Sequence, residues 1–348
     1  MNSIVRKLLN LYLTATITIV ASILTPFSVC ASDVFADPSA KSDTDTKNVK
    51  RGLARNSTTD TIVAGRFRAL IIGNNEYQDK EQVWGKLYTA IPGAIELANV
   101  LKNDYGFSDV RVVKNAAYRE IIQALTDLIE TSRFGDNVLI YFAGHGYKNE
   151  KTGEAYWVPV DAEGWDDSLF VSNARIKEKV AALSDITQHV LLISDSCFSG
   201  TLTRSAGSEK TGRSYSTRYI EKLNRRKSVY VLAAGGDEYV DDSYRNSGHS
   251  PFTYFLLQEL KDNSKRYFPI SELSSDVRVR VGDAVKQTPQ RGVLQGARHE
   301  GGEFVFVKFA INIAIDGEKI EVEITQPQRN TEELDEVHKP LYTPLVSM

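Results

Sequence analysis

Apolar residues fall along this chain in two alternating patterns. In "RFRALIIGNN", "DNVLIYFAGHG", "HVLLISDSC", "SVYVLAAGG" and "GEFVFVKFA" they run almost without a break. Continuous apolar runs of this length are the mark of strands buried on both faces. Between them the spacing changes. "GAIELANVLKND" places Ala94, Leu97, Ala98 and Leu101 at helical intervals, and "YREIIQALTDLIE" gathers Ile121, Ile122, Leu125, Leu128 and Ile129 on one face. Further helices are predicted near Arg175 to Leu183, over "SPFTYFLLQELK" and over "ISELSSDVRVRVGDAV". In the second of these Ser250 is suited to cap and Pro251 to the first turn. "FSDVRVVKN" reads as another strand, and "AYWVPVDA" follows the most apolar one. Buried strands alternating with amphipathic helices predict an α/β fold, a mostly parallel central sheet with helices on both faces.

The ends break the pattern. In residues 1–31, Arg6 and Lys7 precede an uncharged stretch from Leu8 to Ala31, with small residues at Ala31 and Ala36. That is the layout of a signal peptide, and its apolar length also suits an uncleaved anchor. Residues 32–65 are polar and read as a linker or pro-segment. The globular catalytic part is expected over 66–309, and residues 310–348 form a C-terminal extension. In that extension "INIAIDGEKIEVEIT" alternates around an Asp-Gly pair and predicts a hairpin. Thr201 to Lys227, rich in Ser, Gly, Arg and Lys, reads as a mobile insertion between two strands.

Composition is that of an ordinary globular protein, with 42% hydrophobic and 25% charged residues in 348. A net charge of −3 offers no basic excess for nucleic acid. Of the two cysteines, Cys30 lies in the export segment, leaving Cys197 without an intramolecular partner. A lone thiol in an exported chain reads either as a buried core residue or as a reactive group.

Two strand ends favour the second reading. In open α/β sheets reactive groups gather at the C-terminal ends of strands. One apolar strand runs out at His145, between Gly144 and Gly146, and another runs out at Cys197. If those strands are neighbours, an imidazole faces a thiol. The pair suits nucleophilic catalysis, since the imidazole makes the thiolate available and then protonates a departing amine. The N–H groups of Gly146 and Cys197 are the candidate oxyanion donors.

In order along the chain, "ALIIGNNEY", "DNVLIYFAGHGY", "YWVPVDA", "LLISDSCFSG", "VLAAGGDE", "PFTYFLLQEL" and "TPQ…GGEFVFV" resemble the bacterial caspase-like cysteine peptidases, relatives of metacaspases and orthocaspases in peptidase family C14. The resemblance covers about residues 66–308. Cys197 follows His145 by 52 residues, close to the roughly 50 of a caspase-type pair. The resemblance implies the caspase-like three-layer sandwich, with His145 and Cys197 as the catalytic dyad. It also places Asp195 in the pocket for the residue preceding the cut, where a carboxylate favours Arg or Lys. The chain departs from the pattern at Gly93, where metacaspases carry a second pocket acid, and at Ala143, often Ser. "GGDEYVDDSY", with Asp237, Glu238, Asp241 and Asp242, is the candidate replacement, Asp237 and Glu238 foremost.

The expectation is therefore an exported cysteine endopeptidase of the periplasm or medium, made as a zymogen, cutting protein or peptide substrates after Arg or Lys. Its own basic insertion, or Lys50, Arg51 and Arg55, offers self-processing sites. No metal site and no obligatory cofactor is expected, with calcium activation left open, and the membrane is a partner only if residues 1–31 stay attached. The alternatives are a caspase-fold module that only binds peptides or partners, and a caspase-fold peptidase directed to Asp or Asn. His189, His249 and His299 read as structural or solvated.

Overall fold

In the computed structural model, β1 (Phe67–Gly73) is buried at every position, which is why its run is apolar except at Arg68, whose guanidinium pairs with Asp109. The structure describes residues 65–197, 203–205, 215–235, 242–294, 296–308, 310–316 and 319–325. From β1 the chain passes through α1 (Ala90–Tyr105), β2 (Asp109–Lys114) and α2 (Tyr118–Thr131) to β3 (Asn137–Ala143). Three short strands follow, β4 (Gly146–Lys148), β5 (Ala155–Trp157) and β6 (Val171–Ser172), forming a small antiparallel sheet of their own. Next come α3 (Asn173–Ile186), β7 (His189–Asp195), β8 (Thr203–Ser205), α4 (Thr217–Asn224) and β9 (Ser228–Ala233). The remaining elements are α5 (Pro251–Asp262), β10 (Tyr267–Pro269), α6 (Ile270–Ala284), β11 (Gln290–Leu294), β12 (Val305–Val307), β13 (Ala310–Asp316) and β14 (Lys319–Thr325).

Among the described residues the main sheet has seven strands in the order β2-β1-β3-β7-β9-β11-β8. The first five run parallel, while β11 is antiparallel to β9 and β8 to β11. Because side chains alternate along a strand, each strand feeds two cores. Leu139, Tyr141, Leu191 and Ile193 pack with Leu97 and Leu101 of α1, Leu256 of α5 and Leu273 of α6. Val138, Ile140, Phe142, Val190 and Leu192 pack with Leu125 of α2 and Val180 of α3. The result is the expected three layers with a mostly parallel sheet in the middle.

Two readings change. The run "GEFVFVKFA" is a strand, yet β12 pairs with β10, Tyr267 opposite Val307, and not with the main sheet. Its aromatics fill the helical layer instead, Phe306 against Tyr105 at 5.5 Å and Phe304 against Phe67 at 6.3 Å. An apolar run marks burial, and burial in a helical layer carries the same sequence signal as burial in a sheet. The insertion also holds regular structure. Thr203–Ser205 closes one sheet edge as β8, and Thr217–Asn224 is a helix whose Ser216 side chain accepts a bond from the Tyr219 N–H. Edge pairing uses backbone groups, so a polar three-residue strand leaves no apolar trace. β13 and β14 form the expected hairpin. Among the described residues no helix is long and apolar enough to cross a membrane. Residues 1–64, which carry the export and pro-segment expectations, lie outside the described residues.

Candidate active site

β3 and β7 are parallel neighbours in register from Asn137 opposite His189 to Ala143 opposite Asp195. Both strands therefore end at one level, and the loops that leave them start side by side. The Gly144 N–H extends the ladder one step by donating to the Asp195 carbonyl at 3.3 Å. The next two residues bring the backbones closer still. A Cβ at Gly146 would lie 2.2 Å from the carbonyl oxygen of Cys197 and 3.0 Å from its nitrogen. Only glycine fits there. His145, Cys197, Asp195, Asp242, Thr89 and Ser250 line one cavity at this edge of the sheet.

The imidazole is held from three sides. His145 Nε2 bonds the Gly85 carbonyl at 2.7 Å. A carbonyl can only accept, so Nε2 carries the proton and the neutral ring keeps its lone pair on Nδ1. The His145 N–H donates to the Tyr77 hydroxyl at 2.7 Å, and the Tyr77 ring lies against the imidazole with centroids 4.7 Å apart. Burial lowers the imidazole below its usual range, and the Gly85 bond and the charge of Asp242 oppose that shift. A ring that is neutral near pH 7 can accept a proton. Gly144 is needed beside it, because a Cβ there would fall 2.8 Å from the Tyr77 hydroxyl.

Asp195 is buried at the floor of the cavity. Ser250 and Thr253 hydroxyls donate to its Oδ2 at 2.5 and 2.6 Å, and the Thr253 hydroxyl also bonds Tyr141 at 2.6 Å. Its Oδ1 has no hydrogen-bond partner among the described residues. Burial raises this carboxyl to about 6, against the two hydroxyl bonds, and the nearby charge of Asp242 pushes the same way. Burial without a cationic partner is what makes the charged form costly.

Asp242 reaches the cavity from the segment after β9. Its carboxylate accepts from the Tyr88 N–H at 2.8 Å and the Thr89 N–H at 3.3 Å, and it bonds the Thr89 hydroxyl at 2.6 Å. Thr89 is the N-cap of α1 and Tyr88 the residue before it, so the carboxylate sits at a helix start, where a negative charge is favoured. Gly93 lies one turn further along that helix. A Cβ at 93 would meet the Thr253 methyl at 2.9 Å, so the position that could have carried a second acid is closed by the side chain that supports the first. Asp237, Glu238 and Asp241 lie outside the described residues.

The other histidines divide. His189 is buried, bonding the Ser228 hydroxyl and the Asn224 carbonyl, and His299 accepts from the Val229 N–H. His249 stands nearer the site, next to Ser250, with its Nε2 2.7 Å from the Glu96 carboxylate. Among the described residues no three His, Cys, Asp or Glu side chains gather as a metal site would need. Sequence reasoning missed Tyr77, Gly85 and Thr253. Gly85 acts through its backbone, which leaves no residue-type signal. Thr253 was visible only as the third residue after the Ser250 cap.

A model of the Peptidase C14 caspase domain matches residues 66–293. The human mucosa-associated lymphoid tissue lymphoma translocation protein 1 is 31% identical over 109 residues, 31% of this chain and 12% of that protein. Two Arabidopsis thaliana proteins match over more of the chain. Metacaspase-7 is 27% identical over 54% of this chain and 45% of its own length, and metacaspase-6 is 28% identical over 48% of each. The chain spans about half or less of the length of these relatives.

Proposed function

This chain belongs to the caspase-domain family of peptidases, and from that premise we propose that it is a cysteine endopeptidase in which His145 and Cys197 cut peptide bonds after Arg or Lys. One observation carries the reading: the ends of β3 and β7 set His145 and Cys197 on a single cavity whose floor holds Asp195 and Asp242.

The steps follow from the groups present. The lone pair on His145 Nδ1 takes the Cys197 proton, and the thiolate attacks the scissile carbonyl. The developing oxyanion is received by the N–H groups of Gly146 and Cys197, whose backbones lie against each other. The imidazolium then protonates the departing amine, leaving a thioester. Water, deprotonated by the same imidazole, hydrolyses the thioester and restores the thiol. The Gly85 carbonyl keeps the ring in the required tautomer throughout and faces the positive charge it gains.

Specificity follows from charge. An Arg or Lys side chain entering the cavity offers a donor to the unpartnered Asp195 Oδ1 and a counter-charge to both carboxylates. Asp242 takes the place of the acid absent at Gly93. In this reading the N-terminal segment exports the enzyme as a zymogen, and cleavage at a basic residue of the insertion or of residues 32–65 matures it.

The test uses the full-length chain, wild type beside Cys197→Ala, on matched fluorogenic peptides ending in Arg, Lys, Asp, Asn or Leu, with and without calcium. Cleavage after Arg or Lys that vanishes in the variant supports the proposal. Cleavage after another residue overturns the pocket assignment, and silence of the folded, reduced chain on every peptide, both intact and after processing in the insertion or in residues 32–65, overturns the peptidase reading in favour of a binding module.

A further inference from the structure

Beside the imidazole stands an aromatic group that the chemistry above does not use. Trp84, 8% exposed, lies 5.7 Å from the His145 ring, and Trp165 rests edge-on against Trp84 at 5.2 Å and tilted against Tyr147 at 5.6 Å. Trp165 itself is 64% exposed. A scattered surface tryptophan needs no explanation, but this one is mounted. Trp84 Nε1 donates to the carbonyl of Gly164, the residue before Trp165, at 2.7 Å. The Asp79 carboxylate accepts from the N–H groups of Val83, Trp84 and Gly164 at 2.6, 2.9 and 3.1 Å, tying both loops together. Burial alone would raise that carboxyl, and these backbone bonds hold it below its usual range. A rigid, wet indole is what an apolar ligand group seeks, since burying it repays little ordering cost.

The sheet order says which half of a substrate passes over it. β7 lies between β3 and β9, so His145 stands on one side of Cys197 and the segment bearing Asp242 on the other. The imidazolium must protonate the departing amine, so the chain after the scissile bond leaves over the His145 side. It advances about 3.5 Å per residue, which brings one of its first two side chains to the indoles. The rim keeps an acidic excess: Glu81, Glu163 and Asp166 are exposed around the platform, and Lys80 offsets one of them by pairing with Glu163 at 3.7 Å.

We infer that Trp165, backed by Trp84, floors a subsite for a large apolar side chain, aromatic above all, at the first or second residue after the scissile bond, and that the rim disfavours an acidic residue there. This inference rests on the peptidase reading.

The full-length chain is tested on internally quenched peptides with one acyl half ending in Arg and with Phe, Leu, Gly or Asp in the two positions that follow. Wild type is expected to favour Phe over Gly by about tenfold in kcat/KM, the scale of apolar pocket discrimination, with Asp the poorest. Trp165→Ala is expected to erase that preference, bringing the Phe peptide down to the rate of the Gly peptide, and Trp165→Phe to retain most of it. Equal wild-type rates on Phe and Gly peptides, or an unchanged preference in Trp165→Ala, overturn the subsite and leave the peptidase standing. A uniform loss on all peptides in Trp165→Ala also overturns it, since the indole would then act by positioning His145. Silence of the processed wild type on every peptide overturns both cleavage after Arg and the subsite argued from it.

Discussion

The carboxyl of Asp195 titrates at about 6 because burial withholds water from its charged form, which the hydroxyls of Ser250 and Thr253 offset only in part. In the unfolded chain the same group ionises near 3.8. Between those values the folded protein holds a proton that the unfolded chain has lost. Stability therefore falls as pH rises through this window, and the loss is complete above about 6. Asp195→Asn is expected to exceed the wild type by about 2–3 kcal/mol at pH 8 and to match it near pH 3.5. Denaturant titrations at the two pH values check this, and a difference independent of pH would sink it. The same variant is expected to cut after Arg roughly a hundredfold more slowly, the cost of removing one member of a buried charge pair.

Two glycines make a sharper contrast. Gly146→Ala drives a Cβ into the Cys197 backbone, whereas a Cβ at Gly85 meets nothing within 4 Å. Gly146→Ala should lose about a hundredfold in kcat/KM, as a 1 Å shift of a reacting group does. Gly85→Ala should stay within about twofold of wild type, because only its carbonyl serves His145. Peptide cleavage by the two variants, with circular dichroism as a check on folding, reads the difference.

At the scale of the element, α1 carries a conflict between helix propensity and site geometry. Alanine in place of Gly93 should help the helix by about 0.5–1 kcal/mol. Its Cβ would instead strike the Thr253 methyl on α5, displacing a hydroxyl that Asp195 needs. Gly93→Ala is therefore expected to lower cleavage after Arg by about tenfold without gaining stability. Adding Thr253→Ser removes the methyl and keeps the hydroxyl, so the double variant should recover most of the rate and gain the helix benefit. No recovery would place the cause elsewhere. Ser250 serves both scales at once, accepting from the Thr253 N–H as the cap of α5 and donating to Asp195.

Across the whole molecule, the sheet separates two cores that share strands but not side chains. Leu97 on α1 and Leu125 on α2 are buried on opposite faces. Each Leu→Ala change is expected to cost about 2–5 kcal/mol. Because no partner is shared, the double variant should cost their sum to within about 0.5 kcal/mol. A large coupling energy in equilibrium unfolding would mean that the two layers adjust to one another through the sheet.

Continuous apolar runs determined four of the five parallel strands of the main sheet, since burial on both faces leaves no other pattern; β2, at the edge, alternates instead, and helical spacing determined the covering layers. The turns after β3 and β7 offered His145 and Cys197 as a candidate pair, because an imidazole and a thiol at two strand ends say more together than either does alone. What the one-dimensional pattern could not decide is who meets whom. The Gly85 carbonyl, the Tyr77 hydroxyl and the edge-on contact of Trp84 and Trp165 bring together residues from the β1–α1 loop, the end of β3 and the loop before β6. The bonds from the Tyr88 and Thr89 N–H groups to Asp242, just before α1, join residues more than 150 positions apart. Such contacts depend on loop paths and on backbone groups that every residue type carries alike, so only the folded chain fixes them. The pairing of β12 with β10 belongs with these, because an apolar run records that it is buried and not which neighbour buries it.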